Sequence, residues 1–267
     1  MKNKIKKNYR FLTALFRLRL SHLMTFRMGF FGVFFVDASM FIIQLFAFGM
    51  IYSNIDRIGS WGQGEMIIFI GTYSLINGIN MVIYFFGVIS IPAKIRTGEL
   101  DLYLTKPVNP LLRLTFEQIN PGSILLIPFS ILIIGYGVFV SGTAMTAGRV
   151  ILYIFLVAMM TLLYYDIEVI IRTFAFFLIS GESIVLLEMA GLELCMKIPG
   201  IIFKGLYKLI FYVFLPYGII ATIPTQVLAG TFTVRGILYG IAIVLIFTFI
   251  TLRFWAFGLS HYNSASS

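Results

Sequence analysis

Six charged side chains, Asp37, Asp166, Glu168, Arg172, Glu188 and Glu193, stand in otherwise apolar stretches of the sequence. An ionised group is costly to hold in hydrocarbon, so such residues either neutralise one another or line a path for ions or substrate. Two chemistries are open. Asp37, Asp166, Glu168 and Glu188 form a proton or cation relay, or Asp166, Glu168 and Arg172 pair with one another at a membrane edge. Gln44, Asn77 and Asn80 suit hydrogen bonds across helices, each worth about 1 kcal/mol.

Other reactive chemistry is missing from the sequence. No Gly-x-x-x-x-Gly-Lys-Ser/Thr string occurs, so the chain does not cradle ATP in a phosphate loop, and any ATP that drives it binds another chain. Nor is there a Ser/His/Asp set, a His-Glu-x-x-His helix or an acid and His cluster of the kind a membrane protease or lipid transferase uses. The single cysteine, Cys195, excludes an intrachain disulfide, and with His22 and His261 it gives no metal-ligand spacing. These absences favour a transport subunit over an enzyme, with neither metal nor cofactor in the chain.

A denser polar grouping lies at 92–121, where Lys94, Arg96, Glu99, Asp101, Lys106, Arg113 and Glu117 alternate with Pro92, Pro107, Pro110 and Pro121. The pattern predicts a short helix over 94–104 that Pro107 must end, and a second from Asn109 and Pro110, an N-cap and N1 pair, to about Gln118. Such a rigid, proline-bounded helix either lies on the headgroups, held by Arg96 and Lys106, or docks a soluble partner and transmits a push to the flanking elements.

Those elements are membrane spans. Of the 267 residues 60% are apolar and only 12% charged, with a mean hydropathy of +0.97, whereas soluble domains carry about 25% charged residues. A bilayer core of about 30 Å takes roughly 20 helical residues. Spans are predicted at 30–52, 65–91, 122–140, with Pro128 able to kink it, 149–180 and 236–257. Between 181 and 230 two readings compete. Either 181–206 is a cytoplasmic segment and 208–228 is the fifth span, or 182–198 is the fifth span and 200–229 a re-entrant hairpin. Gly236 with Gly240 and Ser74 with Gly78 are small-residue pairs of the kind that let helices approach.

Residues 1–27 hold Lys2, Lys4, Lys6, Lys7, Arg10, Arg17, Arg19 and Arg27 without an acid, which predicts an amphipathic interfacial helix with its basic face on the headgroups. Arg17 and Arg19 interrupt any signal-peptide core. The net charge of +9 belongs to the ends of the spans, not to a basic domain, so it orients the chain on membrane lipid and does not point to nucleic acid. With the N-terminus inside, 17 of the 20 Lys and Arg residues lie inside under the first reading and 14 under the second. Both termini are therefore expected in the cytoplasm.

The string Arg96-x-Gly98-Glu99-Leu100-Asp101-x-Tyr103-Leu104-x-Lys106-Pro107-Val108-Asn109-Pro110 resembles the cytoplasmic loop of ABC-2 type permeases, in the subgroup of six-span bacterial permeases encoded with a separate ATPase. The basic N-terminal helix and the stretch 198–228, with Leu215-Pro216 and Ile223-Pro224, extend the likeness over the whole chain. The resemblance implies an all-α integral membrane fold of about six spans in the bacterial cell membrane. It implies a dimer of permeases, identical or paralogous, each docked on one of two ATPase subunits that carry ATP and Mg. Arg96, Gly98, Glu99, Asp101, Tyr103, Lys106 and Pro107 would couple the two, and 200–229 would be the re-entrant hairpin. An amphiphilic or hydrophobic substrate of the drug, lipid or peptide class would move outward. The chain departs from the pattern in lacking a large extracellular domain and in the polar character that Glu188 and Glu193 give the fifth span. An ion-coupled secondary transporter, the leading alternative, would need an inverted repeat, and the charged loop after span two has no counterpart in the second half.

Overall fold

The computed structural model describes residues 27–178 and 182–262. The interfacial helix predicted over 1–27 lies, apart from Arg27, outside them. Helices account for about four-fifths of the described residues, with no strand formed among them, as hydrocarbon requires of a backbone that must satisfy its own hydrogen bonds. The long helices are α1 (Arg27–Tyr52), α2 (Gln63–Ile83), α7 (Leu126–Ser141, led in by a 3-10 turn at Pro121–Leu125), α8 (Ala147–Thr173, extended by a 3-10 turn at Phe174–Phe176) and α13 (Val234–Ser260). All five are long and apolar enough to cross a membrane.

The centre of the molecule is a seam between α2 and α7, which run antiparallel. Gly64 lies against Ser141 at one end and Gly78 against Leu126 at the other. Between them a Cβ on Gly71 would come within 2.9 Å of the Ile134 nitrogen, and one on Gly137 within 2.7 Å of the Ile68 nitrogen. The backbones touch because these residues have no side chain, the device by which membrane helices gain dispersion contact. Ser130 Oγ donates to Ser74 Oγ at 2.7 Å across the same seam. The Ser74 and Gly78 pair thus does face a neighbour. Of the other pair only Gly240 does, its Cβ position lying 2.8 Å from Ile223 and 3.0 Å from Met160, whereas Gly236 meets only its own cap residue, Thr233.

Local chemistry sets the helix limits. The Glu65 carboxylate accepts from the Gly62 N–H at 3.0 Å and starts α2, Gly142 closes α7 at φ +63, and the hydroxyls of Thr146 and Thr233 cap α8 and α13. Pro128 falls in the first turn of α7, where no intrahelical N–H is required. The second span is shorter than predicted. It ends at Ile83, and the chain continues through α3 (Phe85–Ile89) and α4 (Ile91–Arg96) to α5 (Asp101–Leu104) and α6 (Pro110–Glu117).

These four short helices mark one end of the bundle, the long-loop end; the 53–62 and 142–146 connections mark the opposite, short-loop end. From the long-loop end α9 (Glu182–Lys197) crosses back. It has 16 residues, about 24 Å at 1.5 Å per residue, short for a span. Near its far end the Met196 carbonyl accepts from Gln44 Nε2 of α1 at 2.7 Å. The chain then turns through α10 (Gly205–Leu209), a π-turn at Ile210–Phe214, α11 (Tyr217–Ile220) and α12 (Thr222–Leu228). A straight fifth span over 208–228 does not form, because the two halves of this stretch meet at 80° about Leu215 and Pro216. Ile201 packs 3.3 Å from the Cβ position of Gly59 in the first short loop, and Gly230 sits against the Arg149 guanidinium at the start of α8. Both ends of the segment therefore lie at the short-loop end.

Candidate functional site

Two groupings of polar residues stand out, the long-loop end and a buried cluster between α2, α8, α9 and α11. At the long-loop end the predicted helix over 94–104 is broken in two. Gly98 adopts φ +76, a left-handed conformation open chiefly to glycine, and the Leu100 N–H turns back to the Lys94 carbonyl at 3.1 Å. The predicted second helix forms as α6, with the Asn109 side chain accepting from Leu112 N at 3.3 Å and Pro110 in its first turn.

The inner side of this end is a packed core. Leu100, Tyr103, Leu111 and Leu114 join Tyr84, Ile91, Val169 and Trp255 in one apolar cluster, so the loop shares its interior with α8 and α13. Lys94 Nζ donates to the Tyr103 hydroxyl and pairs with Glu117 at 3.4 Å, while the Arg113 guanidinium lies 4.6 Å from the centre of the Tyr103 ring. Burial, with the Glu117 carboxylate nearby, pushes the Tyr103 phenol above its ordinary pKa. Tyr103 thereby ties α4, α5 and α6 together. Its partners Lys94, Arg113 and Glu117 were not among the predicted site residues; their only signal was the run of charge itself.

α6 rests directly on α3. A Cβ on Gly87 would come within 2.3 Å of the Leu114 carbonyl and 2.5 Å of that of Thr115. The Thr115 and Tyr165 hydroxyls are 2.9 Å apart, joining α6 to α8. Asp101 acts on Tyr262 just beyond α13, where burial and the Asp101 carboxylate raise the phenol pKa. The outer side is different. Arg96, Glu99, Lys106 and Pro107 are exposed, and between them Leu102 and Leu104 are 64% and 42% exposed.

The buried cluster does not follow the expected pairing. Arg172 pairs with Glu188 of α9, not with Asp166 or Glu168, and all four are at most 5% exposed. The Tyr217 hydroxyl donates to Glu188 at 3.3 Å, so one carboxylate joins α8, α9 and α11. Thr248 donates to Asp166 at 2.5 Å, fastening α8 to α13. Glu168 faces Asn80 of α2, and its Oε2 has no hydrogen-bond partner among the described residues. Asn80 and Tyr73 likewise carry buried side-chain polar atoms without partners there, an unusual concentration for a protein interior. Glu193 is exposed and pairs with Lys197 one turn on, at 2.6 Å, and Asp37 is half-buried on α1 with no ion pair among the described residues. The predicted intramembrane set thus divides into a joined pair, a fastened acid, an acid with an unmatched oxygen and two outliers.

No group of His, Cys, Asp and Glu able to hold a metal ion occurs among the described residues. Neither a curated protein nor a solved structure matches the chain. A family model described as ABC-2 family transporter protein matches residues 38–266, from the first span past the end of the last. The multi-pass helical bundle and that match agree, and the chain belongs to the ABC-2 family of transporter proteins.

Proposed function

We propose that this permease exports an amphiphilic or hydrophobic substrate, driven by a separate ATPase that docks on the outer side of the segment from Arg96 to Pro107. The observation that carries the reading is the two-sidedness of that segment. Its inner side is welded to the spans through Leu100 and Tyr103, while its outer side offers Leu102 and Leu104 within a frame of charge. Exposed leucines ringed by Arg96, Glu99 and Lys106 suit a protein partner, whose apolar anchors need a polar rim.

Under this reading the long-loop end is cytoplasmic, and the 200–229 segment is a re-entrant hairpin on the outer side. Two permeases, identical or paralogous, pair with two ATPase subunits that bind ATP and Mg. Nucleotide shifts the pair between inward- and outward-facing states only through contacts that differ between the states. The contacts at hand are Thr115 with Tyr165, Arg172 with Glu188, and Glu188 with Tyr217, which join the loop side to α8 and α8 through α9 to the hairpin.

The test is recovery of the full chain from its native membranes in mild detergent, with mass spectrometry of what accompanies it. A stoichiometric chain bearing a phosphate-binding loop, lost when Glu99→Lys and Leu102→Asp are introduced, supports the reading. Recovery of the chain alone counts against it. The unmatched oxygen of Glu168 favours a second reading, ion coupling. There Glu168→Gln abolishes transport, and the double loop variant leaves it intact.

A further inference from the structure

The long-loop end holds a second feature, which shares only Arg96 with the proposed docking rim. Between α4, the end of α8 and the start of α9 lies a cavity of about 280 Å³. Its walls are apolar, chiefly Ile171, Phe174, Leu178, Ile184 and Leu186, and two guanidinium side chains, Arg96 and Arg172, also line it. No acid lines it. Arg172 is paired with Glu188, whereas Arg96 has no ion-pair partner among the described residues, so Arg96 brings an unpaired positive charge to the described lining.

Apolar walls and an unmatched cation select an amphiphilic anion. The depth of the cavity narrows the choice. The apolar stretch of α8 ends at Phe176, beside Phe174 and Ala175 in the lining, so the guanidinium groups stand where hydrocarbon gives way to headgroups, and basic pockets between helices at that depth hold lipid phosphate. Leu178 and Leu186 on the rim are exposed, 40% and 66%, leaving a sideways opening for a chain. Residues 1–27, with eight basic side chains and no acid, have the wrong sign to fill it. We infer that this cavity holds an anionic phospholipid, its phosphate between Arg96 and Arg172 and one acyl chain along Ile184 to Leu186 of α9. The inference holds whether or not the neighbouring segment docks an ATPase.

The probe is phosphatidylglycerol against phosphatidylcholine of the same acyl chains. The full-length protein, with whatever co-purifies, is equilibrated in micelles of both, and retained lipid is read by native mass spectrometry. Wild type should retain phosphatidylglycerol about fivefold or more over phosphatidylcholine, and Arg96→Ala should remove most of that preference, the size expected of one basic residue at a membrane surface. Val185→Trp, which fills the cavity without touching either charge, should lower retention of both lipids while the melting midpoint reports that the fold persists. Equal retention by wild type, or an unchanged preference in Arg96→Ala, overturns the inference. So does displacement of the lipid by millimolar inorganic phosphate, which would make this a phosphate site. Cross-linking of Val185→Cys to residues 1–27 would make the occupant the chain's own segment and overturn it equally.

Discussion

The α2 and α7 seam and the α8, α9 and α11 junction are both buried, yet they are held in different ways. Along the seam, Gly64, Gly71 and Gly137 bring backbone onto backbone, and nothing charged is present. At the junction a buried cation meets one of two neighbouring carboxylates, Glu188, and leaves Glu168 with an oxygen unmatched. Close-packed backbones have few alternative arrangements, since a shift of a few tenths of an ångström forfeits contact or makes a clash. A cation with a second acid one helical turn away has an alternative partner already in place. The seam is thus suited to be the frame and the junction the moving part.

The comparison can be broken at four places. Glu188→Ala should have the largest effect, about 3–5 kcal/mol lost, because it strands Arg172 in an apolar interior. Replacing both partners, Arg172→Met with Glu188→Leu, should recover most of that loss in a detergent melting scan and still abolish transport; full transport by the double variant would show that the pair is only structural. Gly137→Leu comes next, at about 1–3 kcal/mol, since the new side chain meets the Ile68 backbone. An unshifted melting midpoint there would mean that the seam yields more readily than its contacts suggest. Ser74→Ala removes the hydrogen bond from Ser130 and should cost only about 0.6 kcal/mol, within reach of a careful melting series. Leu102→Asp, on the outer side of the loop, should move stability by less than about 0.5 kcal/mol while ATPase recovery falls. A large loss of stability instead would place Leu102 in the core, contrary to its exposure.

The sequence made the spans legible because hydropathy over some 20 residues is a summed signal that tolerates local error. It also made α6 legible, since Asn109 and Pro110 combine a side-chain cap with a fixed φ. The break at Gly98 was not, because one glycine in a helical pattern costs only about 1 kcal/mol and does not announce a positive φ. Arg172 shows the same limit at longer range. Its spacing from Glu168 suggested a local pair, and the partner is Glu188, supplied by the packing of another helix. Conversely, the pairing of Glu193 with Lys197 was open to reading from the i,i+4 spacing. Gly71 and Gly137 carry no recognisable motif, and their role needs the register of two helices that only the fold supplies.

The hairpin at Leu215 and Pro216 has a consequence for the parity of the chain. Under the proposed reading the segment bent by 80° there returns to the side it came from and adds no crossing, so that α9 and the five long helices together make an even number of passages. Arg27, at the start of α1, and Tyr262, beside Asp101, accordingly stand on the same face of the bundle as the loop helices. A membrane-impermeant reagent applied from one side of sealed vesicles should reach reporter cysteines placed at both positions, or at neither.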